Sequence, residues 1–240
     1  MSYETSVADA VRQFWSVQRT QQRRRSRTRS GDPGRQRVVG GKHMAGFEKV
    51  LAESLLEAGV AAESVITTGS SDRTLPGYFR ATKRWDLLVA SGSRVLAAIE
   101  LKSISSSFGN NLNNRAEEAI GSTTDFATAF REGTLGNVHR PWIGYVLVMV
   151  AKGGTGGSLH PVRVDSPHIE PRAEFVDASY IDRGEQLCRA LVQERLCDAA
   201  WLLVTSAEHG PDGEFSEPAS DLDGRTFVRL LSGHVRALLG

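Results

Sequence analysis

At 240 residues the chain can bury one sizeable core without depending on disulfides or a structural metal. Its hydrophobic fraction of 40% and charged fraction of 24% are ordinary for a globular protein, and no apolar run approaches the roughly 20 residues that span a bilayer. The formal net charge of +1 conceals an asymmetry: residues 1–42 hold ten Lys or Arg against three Asp or Glu, a net of +7, leaving −6 for the rest.

In chain order, Val7, Val11 and Phe14, with Trp15 beside them, lie on one side of a short N-terminal helix. The Arg/Ser-rich run that follows offers little to a core, so the helix is expected to lose order there. Residues 1–42 then form a basic helix and flexible arm ahead of a main domain over 43–240. Such an arm releases counterions from a phosphate backbone, and a merely solvated tail has the same composition. Gly41-Lys42 hints at a phosphate loop, but His43 stands where that loop needs Ser or Thr, so no nucleotide-triphosphate site is read.

Residues 43–58 predict the first solid helix, with Phe47, Val50, Leu51, Leu55 and Leu56 towards the core and Gly59 as its stop. Residues 69–72 read as a turn, 75–80 as an irregular strand and 85–90 as a strand. Ser91-Gly92-Ser93 turns the chain into a strand over 95–102, making a hairpin. Residues 111–131 read as a loop followed by a helix whose inward surface carries Ala116, Ala119, Ile120, Phe126 and Phe130. A central strand over 143–150 follows, with Trp142 and Tyr145 as packing residues, then a Gly/Pro-rich loop over 153–171. A helix near 185–196, a strand at 200–205, an exposed acidic segment over 208–223 and a helix near 227–238 complete the domain. The sum is an α/β fold, a mixed sheet with helices on its faces.

Cys188 and Cys197 suit neither a disulfide framework nor a zinc site and read as reduced thiols, Cys197 buried. The six histidines form no regular cluster with Cys or acidic residues, and nothing implies an organic cofactor. The N-terminus lacks a basic region followed by an apolar leader segment, so no membrane association and a cytoplasmic address are expected.

The chemistry is concentrated in Arg84-Trp85-Asp86-Leu87 and Ala97-Ala98-Ile99-Glu100-Leu101-Lys102. Strand alternation sends Glu100 and Lys102 to one face, and Asp86 on the neighbouring strand approaches them across the hairpin. Two carboxylates and an ammonium suit phosphodiester hydrolysis, because hard oxygens hold Mg²⁺ while leaving positions for phosphate and water. Asp86 and Glu100 are the candidate metal ligands, with the backbone carbonyl of Leu101. Lys102 orients the water or stabilises developing anion, and nearby carboxylates favour its charged form. Glu48, on the first helix, is a further candidate for the metal-bound water or a second ion, and an exposed helical glutamate has the same pattern. An edge ion-pair network also produces an Asp beside Glu-x-Lys. The polar segment 103–115 offers small hydroxyl and amide groups to phosphates or base edges, with Gly109 permitting a tight path.

The ordered combination Gly41-Lys42-His43-Met44, Arg84-Trp85-Asp86-Leu87, Ile99-Glu100-Leu101-Lys102-Ser103 and Ser107-Phe108-Gly109-Asn110-Asn111, followed by Asn114-Arg115 and Glu117-Glu118, resembles the XhoI family of type II restriction endonucleases within the PD-(D/E)XK nuclease superfamily. The resemblance runs from about residue 40 onward and is clearest over 41–150. It implies a restriction-endonuclease-like mixed central sheet flanked by helices, with residues 43–240 as the catalytic domain. Asp86 matches the motif's aspartate, Glu100 its second acid and Lys102 its lysine, while Trp85 stands where the superfamily shorthand has proline. Glu48 resembles the helix-borne acid of related nucleases. The resemblance further implies a prokaryotic homodimer cutting both strands of palindromic duplex DNA at CTCGAG, after the first C, to leave four-base 5′ overhangs. Two-fold symmetry suits a palindrome. Expected DNA contacts are Lys42 and His43 ahead of the first helix, then Arg80, Lys83 and Arg84. The polar segment adds Asn110, Asn111, Asn113, Asn114 and Arg115. A repair or recombination nuclease of the same superfamily and a non-catalytic DNA-binding protein are the alternative functions.

Overall fold

The computed structural model describes residues 2–27, 42–68, 73–136, 138–154 and 156–239, with the side chains of 24–27 and 42 excepted. The Arg/Ser-rich run beyond Arg27 and the turn expected at 69–72 lie outside the described residues.

Five strands form the main sheet in the order β1-β4-β5-β6-β7. They are β1 (Val65–Ile66), β4 (Leu87–Ser91), β5 (Arg94–Ile104), β6 (Trp142–Ala151) and β7 (Ala199–Ser206). The β1/β4 and β4/β5 pairs are antiparallel, whereas β5/β6 and β6/β7 are parallel. A separate two-stranded hairpin joins β2 (Thr74–Pro76) to β3 (Thr82–Arg84). The expected mixed sheet is therefore present, and it divides the core in two. On one face, α1 (Tyr3–Arg27), α2 (Ala45–Glu57) and α5 (Gly224–Leu239) contribute to a cluster containing Phe14, Phe47, Ile99, Val146, Trp201 and Phe227. On the other, α3 (Phe108–Arg131) and α4 (Tyr180–Gln193) cover Trp85, Ala98, Tyr145, Leu147, Met149 and Leu202. Alternation along β6 feeds both clusters, so nine of its ten residues are buried and its sequence is a continuous apolar run.

Local chemistry sets the helix limits. Gly59, at φ +87°, closes α2: its N–H bonds to the Leu56 carbonyl at 2.9 Å and that of Val60 to Leu55 at 3.0 Å. This is the left-handed stop that glycine adopts without steric cost. Ser179 and Asp182 form a reciprocal capping box, so α4 begins at Tyr180, earlier than expected. At the other end of the chain, α1 extends over 25 residues rather than one short run. Val7, Val11 and Phe14 are fully buried in the main core, and Trp15 Nε1 donates to Thr205 Oγ1 at 3.1 Å.

Two expected core positions are corrected. Leu56 is 44% and Ile120 47% exposed. On α2 the buried stripe runs through Phe47, Leu51 and Leu55 at helical spacing, which turns the next residue towards solvent. On α3 it runs through Leu112, Ala119, Thr123 and Phe126, with the same effect on Ile120. The irregular strand expected at 75–80 resolves into the β2–β3 hairpin, and β1, only two residues long, had no periodic signal. Both cysteines are free and buried, and burial pushes the Cys197 thiol up to about 12. Among the described residues, no helix is long and apolar enough to cross a membrane.

Candidate active site

The site forms where β4 stops pairing with β5. Their register ends at Leu87 opposite Ile99, and the Asp86 N–H makes one more bond to the Ile99 carbonyl at 3.2 Å. Two residues further along β5, the N–H of Leu101 has no strand residue opposite. An unpaired backbone donor there would be costly. Asp86 Oδ2 accepts it at 2.8 Å, which fixes the carboxylate against the strand edge. In an extended strand the N–H and C=O of one residue leave by the same edge, so the Leu101 carbonyl faces the Asp86 side.

Glu100 and Lys102 project to the α3 side of β5, the face that also carries Ala98 and Ile104. Glu100 is 8% exposed and is held by two ammonium groups. Lys83, on β3, donates to its Oε2 at 2.8 Å, and Lys102 pairs with its Oε1. Lys83 also lies 4.7 Å above the Trp85 ring. From α3, Glu118 approaches Lys102 at 3.7 Å and pairs with Arg115. The structure thus brings Asp86, Glu100, Leu101 and Lys102 together and adds Lys83 to them.

Burial, then the neighbouring Glu100 charge, pushes Asp86 up to about 6, against the opposing pull of the Leu101 N–H, Lys102 and Lys83. Burial acts the same way on Glu100, but Lys102 and Lys83 outweigh it and hold that carboxyl below the usual glutamate range. Lys102 is raised despite burial, because Glu100, Asp86 and Glu118 surround it, so it stays charged. Two carboxylates with opposite shifts and a charged lysine form an asymmetric site of the kind found where chemistry is done.

Glu48 is engaged a step away from this group. It is 7% exposed on α2, and its carboxylate accepts the Thr68 N–H and, at 2.7 Å, the Thr68 hydroxyl. Arg73, 5% exposed, lies 3.9 Å from Glu48 and donates through the same Nη1 to Thr68 Oγ1 at 3.0 Å and to the Asp86 backbone carbonyl. The carbonyl of Arg73 also accepts the Trp85 N–H at 3.0 Å. Sequence reasoning missed Arg73, because a lone arginine just ahead of a short strand has no periodic signature. Among the described residues, no group of three or more His, Cys, Asp or Glu gathers into a metal cage. Two carboxylates and a carbonyl, completed by substrate phosphate and water, are nevertheless the donors a magnesium ion ordinarily uses.

The profile of the family described as "Restriction endonuclease XhoI" matches residues 21–217. The chain belongs to the XhoI family of type II restriction endonucleases. It is 45% identical over 204 residues to the type II restriction enzyme BstVI of Geobacillus stearothermophilus, covering 82% of this chain and 89% of that one. It is 41% identical over 196 residues to the type II restriction enzyme XhoI of Xanthomonas vasicola, covering 79% and 75%. It is 38% identical over 148 residues to AbrI of Azospirillum brasilense, covering 61% and 66%. No solved structure matches.

Within this XhoI-family chain the expected DNA contacts divide into two groups. Arg84, Asn110, Asn113 and Asn114 are exposed, and the three asparagines share a face at the start of α3 through their three- and four-residue spacing. Asn111 instead donates to the Ser106 carbonyl at 2.6 Å, and Arg115 pairs with Glu118. Arg80 pairs with Asp125 at 3.1 Å, and His43 Nε2 shares a hydrogen bond of 2.7 Å with Ser103 Oγ. The Lys42 side chain lies outside the described residues. The polar segment 103–115 is largely helical, since α3 begins at Phe108, and the loop expected at the start of 111–131 is part of that helix. The unusual backbone belongs to Ser107, at φ +47°, rather than to Gly109. Gly109 instead lies close to Tyr180: a Cβ there would be 3.0 Å from its hydroxyl, which would have to shift by a few tenths of an ångström.

Proposed function

We propose that the chain is a Mg²⁺-dependent type II endonuclease that cuts palindromic duplex DNA at CTCGAG, after the first C, leaving four-base 5′ overhangs. It acts as a homodimer in a prokaryotic cytoplasm, each subunit addressing one half-site. The observation that carries this reading is the bond from the Leu101 N–H to Asp86 Oδ2. It places two carboxylates and the Leu101 carbonyl around one strand edge with Lys102 beside them. Membership of a nuclease family acting on duplex DNA supports it, and the base sequence is the one its XhoI-like motifs imply.

Asp86, Glu100 and the Leu101 carbonyl would hold Mg²⁺, with no organic cofactor. Bound there, the ion would supply polarisation of the phosphate and a lowered pKa for water. Lys102, kept charged by its acidic neighbours, neutralises charge growing on the phosphate. Arg73 fixes the Asp86 backbone while Glu48 fixes Arg73, which makes Glu48 a positioning residue acting through its neighbour. Arg84 and the Asn110, Asn113 and Asn114 face are placed to meet phosphates and base edges. Lys42 remains a proposed contact, Arg80 stays 41% exposed beside Asp125, and His43, Lys83, Asn111 and Arg115 reach DNA by giving up the contacts that now hold their side chains.

Digestion of a sequence-diverse duplex library followed by end sequencing tests this proposal. The expected product ends lie at CTCGAG, require Mg²⁺ and carry four-base 5′ extensions. Equal cutting of duplexes lacking CTCGAG overturns the specificity, and cutting only at branched junctions favours a repair nuclease. Duplex binding without metal-dependent cleavage indicates a non-catalytic binding protein.

A further inference from the structure

The β2–β3 hairpin ends in a turn whose aromatic side chains face water. Phe79 is 70% and Tyr78 52% exposed, and their rings meet edge to face at 5.0 Å and 82°. Isolated exposed apolar residues are normal on protein surfaces. This pair differs because the turn beneath it is built to hold it still. Asp125, from α3, is 2% exposed, and its Oδ1 accepts the N–H of Tyr78 at 2.9 Å and of Phe79 at 2.7 Å. Its Oδ2 pairs with Arg80 at 3.1 Å. Gly77 completes the seat: a Cβ there would lie 2.4 Å from Asp125 Oδ2 and 2.7 Å from the Arg80 carbonyl. A buried carboxylate is thus used to fix the backbone under two rings that contribute little to the core.

The surroundings select the partner. Arg84 on the same hairpin is exposed, and Arg80, although paired with Asp125, keeps its side chain 41% exposed, so the aromatic tip is set beside cations. A polyanion with π-faces satisfies both features, because its phosphates meet the cations while its bases meet the rings. A second copy of this chain would have to bury the same cations against itself. Reach is also suitable. Phe79 precedes Asp86 by seven residues, and β3 runs from the turn straight into the site. An extended strand covers about 3.3 Å per residue, so the tip stands at most about 23 Å from Asp86. At about 3.4 Å per base pair, this is within about seven pairs of the bond to be cut.

We infer that Phe79, backed by Tyr78, is an aromatic wedge that inserts between stacked bases of duplex DNA in or beside the recognition site, seated on the Asp125-anchored turn. This rests on the reading that the chain acts on duplex DNA. Such wedges unstack a base step, and the rigidity of this turn keeps the ring from folding away when it meets the stack.

The test uses full-length protein in EDTA and duplexes carrying 2-aminopurine at successive adenines through CTCGAG and its flanks. The expected result is enhanced emission at one step with the wild type, lost in Phe79→Ala and retained in Phe79→Trp. Phe79→Ala should also weaken binding about tenfold or more, the scale of one base–aromatic stack. Thermal melting of the variants should match the wild type, since the ring is mostly in water. Wild-type binding without enhanced emission at any step, with Phe79→Ala binding equally well, overturns the wedge while leaving DNA cleavage intact. A Phe79→Ala protein that sediments as a monomer where the wild type is a dimer, with unchanged emission, reassigns the tip to contact between copies. A wild type that binds no duplex removes both the wedge and the nuclease reading beneath it.

Discussion

Asp86→Asn should stabilise the metal-free protein while destroying its activity, and the gain should depend on pH in a defined direction. In the folded chain the Asp86 carboxyl is pushed up to about 6 from an ordinary value of 3.8, first by burial and then by Glu100. A raised carboxyl binds its proton more tightly folded than unfolded. Its contribution to stability is therefore fully present below pH 3.8, declines between 3.8 and 6, and becomes a constant cost above about pH 6. A shift of this size corresponds to about 3 kcal/mol at 1.36 kcal/mol per pH unit. Asparagine carries no charge and keeps an oxygen that can accept the Leu101 N–H. The variant should match the wild type near pH 4 and exceed it by about 2–3 kcal/mol at pH 7.5. For a chain of this size that is roughly a 4–12 °C rise in Tm. Urea denaturation in EDTA at several pH values measures the difference, and other titrating groups largely cancel between the two proteins. A gap that stays constant with pH, or one that widens towards acid, would refute the assignment of Asp86 as a carboxylate ionised against its surroundings.

Lys83→Met should tighten Mg²⁺ binding to the DNA-free protein about tenfold, read by isothermal titration. An ammonium 2.8 Å from Glu100 Oε2 is worth about 1.5 kcal/mol even at the dielectric of water, and an ion must displace it. Unchanged affinity would show that Lys83 and the ion use different oxygens. Arg73→Met should cost about 3–5 kcal/mol in urea denaturation, because it leaves Glu48 buried without its cation. The double variant Arg73→Met/Glu48→Met should lose less than the sum of the two single variants, and strict additivity would deny the pair. Gly144→Ala should cost about 1–3 kcal/mol in the same assay, since a Cβ there would lie 2.4 Å from Trp142 and 2.6 Å from Phe227. A neutral effect would mean that those two rings give way freely.

Elements governed by short-range pattern were legible. The β4–β5 hairpin declares itself through two apolar runs around Ser91-Gly92-Ser93, and strand alternation alone puts Glu100 and Lys102 on one face. Gly59 marked the end of α2 because a left-handed stop is a local requirement. What escaped was set by partners distant in sequence. Arg73 is buried only because Glu48, Thr68 and the Asp86 carbonyl converge on it. Lys83 read as a DNA contact, since a long basic side chain does not announce that it lies over Trp85 and reaches Glu100. The start of α3 was hidden by its own composition, with asparagines and serines that favour turns in isolation becoming helical on docking. Leu56 and Ile120 show the limit of counting apolar residues along a helix, because each lies one position off the stripe its neighbours define.

The bond from Trp15 to Thr205 joins residues 190 positions apart, so the contact that ties α1 to β7 closes only after the chain between them has been made. At about 5–20 residues per second, a ribosome takes about 10–40 s to travel that distance. Throughout it, α1 can settle against α2, its main neighbour, but the Trp15 indole has no Thr205 hydroxyl to meet. The β4–β5 hairpin, built from neighbours in sequence, can form well before that bond closes. Closure of the α1 side of the core is thus timed by the emergence of β7, and a polypeptide stopped short of Thr205 could keep the bond from Leu101 to Asp86 yet would lack the clasp that ties α1 to the edge of the sheet.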